Sequence, residues 1–337
     1  MGSIRVISAQ SPQFGTGSSP QPLLRPTVLH RSPEHLPTPE AINHDAAMGF
    51  DLQYSVCQLG HVVSTLQLGR LGANRRTIAA AVEAGVIRRV ARGTYACAHL
   101  EPPLSTAARA GAKIDCTTSL QRYGVWSGIE QPGLHLRMPP HGHLQRRAPA
   151  AVLHWSDLRG SSAQPLEVSH LDALMQAILC LPPDDALASV ESALHLGFID
   201  DDELELLMKW APARLQPVLA QIDRGAQSGF ETHTRVLIVR ADLRVRTQAY
   251  VPGSGHFDLL VEECVGLETD GEQWHGPERF IPDRTKDLVA EEHGVRTLRI
   301  GRTHIFDSWP RTLAAIRRMV SDAQAAQESH NRAQRKR

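Results

Sequence analysis

Apolar positions along the chain change period several times, and each change marks an element. Leu52, Val56 and Leu59 share one helical face. Val62 and Val63 lead to Ser64, which is placed to cap a short helix over 65–69. Asn74 is placed to cap the next helix, over 75–85, where Ile78 and Val82 fall at i and i+4 and Gly85 supplies the stop. Residues 86–96 then read as a small, basic β-ribbon. Helix, turn, helix and basic ribbon is the outline of a winged helix, predicted over 48–99.

Residues 100–226 form a mixed, mostly helical middle region. Residues 117–124 read as a short helix and turn, and 134–138 alternate as a strand that ends at Pro139-Pro140. Helical spacing then recurs over 171–179, 186–196, 201–209 and 213–222, punctuated by Pro182-Pro183 and Gly197. Residues 227–325 change character again. A helix carries Glu231 and Arg235 one above the other. A strand over 245–250, a hairpin with arms 255–261 and 265–275, a helix over 282–293, a strand over 295–300 and a last helix over 308–325 complete a small α/β core. The whole chain is therefore α+β. The end, 326–337, is a basic tail with Arg332, Arg335, Lys336 and Arg337. The start, 1–47, is rich in Pro, Ser and Gln without periodicity. It reads as a disordered tail, as a stretch ahead of a true start at Met48, or as a targeting peptide.

The hairpin carries the candidate chemistry. Glu268 and Asp270, two apart on a strand, point the same way. With the turn centred on Glu263, Asp258 and Glu268 fall opposite each other. Opposed Cβ atoms lie about 4.5–5.5 Å apart, where like charges destabilise. Three carboxylates on one face require a counter-charge, and an oxygen-seeking divalent cation, Mg²⁺ (or Mn²⁺), is the simplest. His275 stands close by as base or acid. The alternative is a solvated acidic face, against which the otherwise apolar strands argue. A register slip of one residue would turn Asp258 to the other face.

These residues resemble the PD-(D/E)XK nuclease superfamily, in the branch similar to very-short-patch-repair endonucleases. The matching positions are Asp258, then Glu268, Asp270, Gly271 and His275, with Glu231 in Ser228-Gly229-Phe230-Glu231 as the helical acid. Asp283-Arg284-x-Lys286-Asp287 and the stretch 294–300 match the next helix and strand, so the resemblance spans about 229–320. It implies a restriction-endonuclease-like core, a metal at Asp258, Glu268 and Asp270, and hydrolysis of phosphodiester bonds in DNA. Asp270 replaces the superfamily's usual Lys, which leaves the general base open between His275, Lys286 and none. Lys286 or Arg284 would stabilise developing charge, and Trp274 would stack beside a base or pack the hairpin end. The N-terminal segment resembles the winged helix of AbiEi-like type IV antitoxins, whose ribbon ends in a strip like Arg92-Gly93-Thr94-Tyr95. The middle region is similar to the domain that follows it there. That resemblance implies DNA binding and a toxin as partner protein.

Composition narrows the remaining choices. The 337 residues carry 36 basic and 36 acidic side chains, so a nucleic-acid footprint must be local. Arg75 and Arg76 at a helix start and Arg88, Arg89 and Arg92 on the ribbon would meet phosphates, or form the solvated face of a protein-binding module. Five cysteines, Cys57, Cys97, Cys116, Cys180 and Cys264, show no C-x-x-C spacing. That argues against structural zinc and disulfides, and for a reducing cytosol. His141-x-His143 lies in a Pro/Gly-rich loop and reads as solvated. No apolar run approaches the ~18 residues of a membrane span. Three functions stand open: a metal-dependent DNA endonuclease, an antitoxin-like DNA-binding regulator whose nuclease-like domain only binds, and a protein-interaction scaffold.

Overall fold

The structure is a computed structural model and describes residues 4–6, 52–130, 133–142, 151–162, 164–270 and 280–335. Two compact units divide the chain, with a break at Gly111–Ala112. A short strand, β1 (Ile4–Val6), lies within the stretch read as a tail.

In the first unit the order is α1 (Leu52–Gln58), β2 (Val62–Ser64), α2 (Thr65–Arg70), α3 (Arg75–Glu83), β3 (Ile87–Ala91), β4 (Thr94–Cys97) and α4 (Pro102–Ala110). β4 lies between β2 and β3, antiparallel to both. Both expected caps form. Ser64 and Gln67 make a reciprocal capping box on α2, and the Asn74 side chain accepts from the Arg76 and Thr77 amides at 2.9 and 3.0 Å. Gly85, at φ +71°, takes the left-handed turn after α3 that a side chain would resist.

The second unit contains two four-stranded sheets and most of the helices. After β5 (Lys113–Ile114) and α5 (Cys116–Arg122) come β6 (Leu134–Arg137) and β7 (Ala151–His154), in a sheet ordered β1-β7-β6-β5. Then follow α6 (His170–Cys180), α7 (Pro183–His195), α8 (Asp201–Trp210) and α9 (Gln216–Leu219). The helix expected over 213–222 is a 3₁₀ turn, Ala213–Leu215, running into the short α9, with Pro217 in its first turn. Leu120, Leu174, Ile178, Val190, Leu207 and Leu219 join these helices in one apolar core.

Next come α10 (Gly229–Arg240), β8 (Val245–Val251), β9 (Gly255–Val261), β10 (Val265–Asp270), α11 (Phe280–Glu292), β11 (Arg296–Gly301), α12 (Arg302–Phe306) and α13 (Trp309–Arg335). The expected last helix is α13, which continues through most of the stretch read as a tail, and the short α12 stands ahead of it, beyond the break at Asp307–Ser308. The sheet order is β11-β10-β9-β8. Strands β8, β9 and β10 form an antiparallel meander, while β10 and β11 are parallel and joined through α11. The β9–β10 turn uses left-handed φ at Glu262 (48°) and Glu263 (59°), the twist a tight hairpin favours. Ion pairs to Arg244 and Arg246, both at 2.7 Å, anchor the two glutamates. Among the described residues, no helix is long and apolar enough to cross a membrane.

Candidate functional site

The hairpin register is Val261 with Val265, Leu260 with Gly266 and Leu259 with Leu267. Its continuation sets Asp258 across from Glu268, as a turn centred on Glu263 requires. The ladder does not continue. Instead, the Asp258 carboxylate accepts the Thr269 amide at 2.7 Å and the Thr269 hydroxyl at 2.9 Å. On the other side, β8 pairs Thr247 with Leu259 and Ala249 with Phe257, and Gln248 between them drops out at φ +47°. Strand pairing is thus interrupted on both flanks of Asp258. The side-chain alternation breaks there too: Leu259 packs with Val261 and Leu267, while Phe257, two residues away, packs with Leu260 and Ala290. Local breaks of this kind re-aim side chains and concentrate at functional sites.

Glu231 is 4% exposed in the first turn of α10. Its carboxylate accepts from the Gln227 amide at 3.0 Å and from the Gln248 side chain at 3.1 Å. The unpaired Gln248 therefore links Glu231 to the Asp258 row. Burial, and then the Asp258 charge, raise the Glu231 pKa. Burial also raises that of Glu268, against the opposing effect of Lys286, and Asp258 again adds to it. Lys286, on α11, ion-pairs with Glu268, donates to the His256 carbonyl at 2.5 Å and lies 4.5 Å from the Phe257 ring centre. Lys286 thus pairs with Glu268, and the Asp258 charge acts on both Glu231 and Glu268. Asp270 ends β10 opposite Gly301, but its side chain lies outside the described residues, as do His275, Trp274 and the side chain of Arg284.

Glu231 and Arg235 share a helix without pairing. Arg235 reaches away to Glu191 of α7 at 2.5 Å. Glu191 also accepts from the Thr232 hydroxyl at 2.5 Å and the Asp223 amide at 2.7 Å. One turn on, His233 bonds Asp185 at 2.9 Å, and Trp126 donates to the same carboxylate at 2.9 Å. Gly229 lies against the Trp126 ring so closely that an added Cβ would fall 2.1 Å from it. A buried polar network thus fixes α10, and with it Glu231, to the helical part of the unit. The helical part thus supplies the seat of Glu231.

In the first unit Arg75, Arg76, Arg88, Arg89 and Arg92 are all exposed. Arg88 also donates to the Leu100 carbonyl at 3.0 Å.

Among the described residues, the three carboxylates Glu231, Asp258 and Glu268 do not gather within the span of a shared ion. Two other sets do, each with its ligating atoms all within 4.8 Å of one another: Cys116, His135, His154 and Cys180 in the second unit, and Cys57, His61 and Cys97 in the first. Spacing along the chain is thus no guide to these sets, because the fold assembles what the sequence scatters. His135 and His154 lie on adjacent parallel strands, Cys116 opens α5 and Cys180 closes α6. Burial, with the charges of His135 and Arg137, pushes His154 down to about 3, so its ring is neutral. His141 is exposed, in line with the solvated loop expected there.

No protein-family model and no curated protein matches the chain. A solved structure, the crystal structure of the RV2827C protein from Mycobacterium tuberculosis, is similar over 54% of this chain and 79% of that one, at 17% identity and a TM-score of 0.29. A likeness this loose bears on neither fold nor function.

Proposed function

We propose that the chain is a metal-dependent DNA endonuclease, with a restriction-endonuclease-like core from α10 to β11 and a DNA-binding winged helix in the first unit. The observation that carries this reading is the collection of Glu231, Asp258, Glu268 and Lys286 where strand pairing fails around Asp258. The element order α10-β8-β9-β10-α11-β11, with a parallel last pair, supports the core assignment. The order α1-β2-α2-α3-β3-β4 and the exposed arginines support the winged helix.

The donor chemistry fits Mg²⁺ or Mn²⁺. All the candidate ligands, Asp258, Glu268, Asp270 and Glu231, are carboxylates; Glu231, Asp258 and Glu268 stand further apart than one ion spans, so binding would draw them together and release Glu268 from Lys286. The ion would supply Lewis-acid polarisation of a phosphodiester and a water of lowered pKa. The protein's own part is positional. Gln248 and the Gln227 amide hold the Glu231 carboxylate, and Thr269 holds that of Asp258. Lys286 carries a cation beside Glu268, suited to negative charge that develops on a phosphate.

A second reading has its own support. Lys286 and Thr269 already engage Glu268 and Asp258, the arrangement of a domain that binds DNA without cutting it. In that case the chain is an antitoxin-like regulator. Plasmid nicking with Mg²⁺ or Mn²⁺ separates the two. Metal-dependent nicking that disappears in a folded Asp258→Ala protein is the expected result. Equal activity in both proteins sinks the nuclease. A gel shift on DNA without cleavage favours the regulator.

A further inference from the structure

We propose that Cys116, His135, His154 and Cys180 form a four-coordinate structural zinc site that joins α5, β6, β7 and α6. The residues sit where a closed site needs them. Cys116 is fully buried, and His135 and His154 are 1% and 2% exposed. Arg137 on β6 pairs with His154 on β7, and His135 lies two residues before Arg137, so both imidazoles rise from one face of the sheet. The helix termini bring the two thiols to the same face.

The distances match the ion. Zinc bonds of about 2.0–2.1 Å to nitrogen and 2.3 Å to sulfur put tetrahedral neighbours about 3.3 Å apart for two nitrogens and about 3.6 Å apart for nitrogen and sulfur. His135 Nδ1 lies 3.0 Å from His154 Nε2 and 4.0 Å from Cys180 Sγ. All four donors lie within 4.8 Å of one another. The charge matches as well. Two thiolates and two neutral imidazoles around Zn²⁺ make a neutral centre, which suits a site where three ligands are buried and Cys180 is partly exposed. A mixed N₂S₂ donor set with no place for water is that of a structural rather than a catalytic zinc.

The backbone gives independent support. Cys116 adopts φ +54°, a left-handed conformation that a non-glycine residue keeps only where its surroundings hold it there. The chain around it is braced: the His135 amide donates to the Thr118 hydroxyl at 2.8 Å, and Arg137 binds the Asp115 carboxylate at 2.7 Å. The same four residues without metal would form a hydrogen-bonded set, with His135 on His154 at 3.0 Å and Cys180 on both His135, at 4.0 Å, and Cys116. That arrangement accounts for the pairwise contacts, and the metal count separates it from a zinc site.

The test uses the full chain carrying Cys57→Ser, which removes the donor set of the first unit. The protein is purified in reductant with zinc, and metal is counted by elemental analysis. One equivalent of zinc is expected, falling to background on adding Cys116→Ser with Cys180→Ser. Two further measurements do not depend on whether that variant folds. Cobalt(II) in the Cys57→Ser protein should give the intense visible bands of a tetrahedral site with thiolate charge transfer, and chelation should lower its melting temperature. No zinc in a folded Cys57→Ser protein, copper or iron in its place, or a mass two hydrogens light from a Cys116–Cys180 disulfide would each overturn the assignment.

Discussion

Asp258 holds Thr269 by two hydrogen bonds, to the amide at 2.7 Å and to the hydroxyl at 2.9 Å, where the next rung of the β9–β10 ladder would stand. The carboxylate thus replaces a main-chain acceptor and keeps the strand ends spread. Asn at this position keeps an oxygen for Thr269 and loses only the charge. Asp258→Asn is therefore expected to fold with a stability change within about 1.5 kcal/mol, since neutral hydrogen bonds replace charge-assisted ones. Its affinity for Mn²⁺ is expected to fall about tenfold or more, ~1.4 kcal/mol. Urea unfolding and Mn²⁺ titration calorimetry measure the two effects. Unchanged Mn²⁺ binding would leave Asp258 as a strand spacer and nothing else.

Glu231 gives a prediction with a definite sign in pH. Burial, followed by the Asp258 charge, raises its pKa above the ordinary carboxylate value. Between that ordinary value and the raised one, the native state binds more protons than the unfolded chain, so stability rises as pH falls through this window. Above the window the ionised, desolvated Glu231 destabilises the fold in full. Glu231→Gln keeps an oxygen for Gln227 and Gln248 and removes the charge. The variant is expected to melt higher than wild type at neutral pH, with the advantage shrinking as pH drops through the window. Scanning calorimetry across a pH series reads this directly. A variant less stable at every pH would mean that an unseen positive group already compensates the charge. A stabilising change at a residue with no catalytic or binding role would be hard to explain, whereas charge strain at an ion site is common.

Parts of this arrangement are legible in the sequence for local reasons. Glu262-Glu263-Cys264 is too short to be anything but a tight turn, so the register of Val261 with Val265 follows from loop length. Asn74, Ser64 and Gly85 act within one turn of where they stand. What escaped the reading is non-local. His135 and His154 are 19 residues apart, and His135 and Cys180 are 45 apart, so no motif contains them. The dropout of Gln248 leaves no trace in an alternating strand pattern. Arg235 had a partner at i−4 on its own helix, and its choice of Glu191, 44 residues earlier, depends on how α7 packs on α10.

That choice makes the Glu191–Arg235 pair the joint on which the position of Glu231 depends. Both side chains are buried, at 1% and 8% exposure, and Glu191 takes three donors at once. Burial raises the Glu191 pKa, with Arg235 the main opposing influence. Glu191→Ala would leave the buried Arg235 charge only the Asp223 carboxylate, at 3.9 Å, a loss of about 3 kcal/mol. Replacing both partners, Glu191→Met with Arg235→Met, removes the stranded charge and should recover most of it. A residue of about 1 kcal/mol should remain, because the Asp223 amide still lacks an acceptor, while the Thr232 hydroxyl keeps the Ser228 carbonyl at 3.2 Å. Urea midpoints of Glu191→Met, Arg235→Met and the double variant complete the cycle. Strict additivity would show that the pair is not coupled, and the seat of α10 would then rest on the Asp185–His233 contact, the Arg240–Asp184 ion pair at 2.6 Å and the Trp126 ring against Gly229.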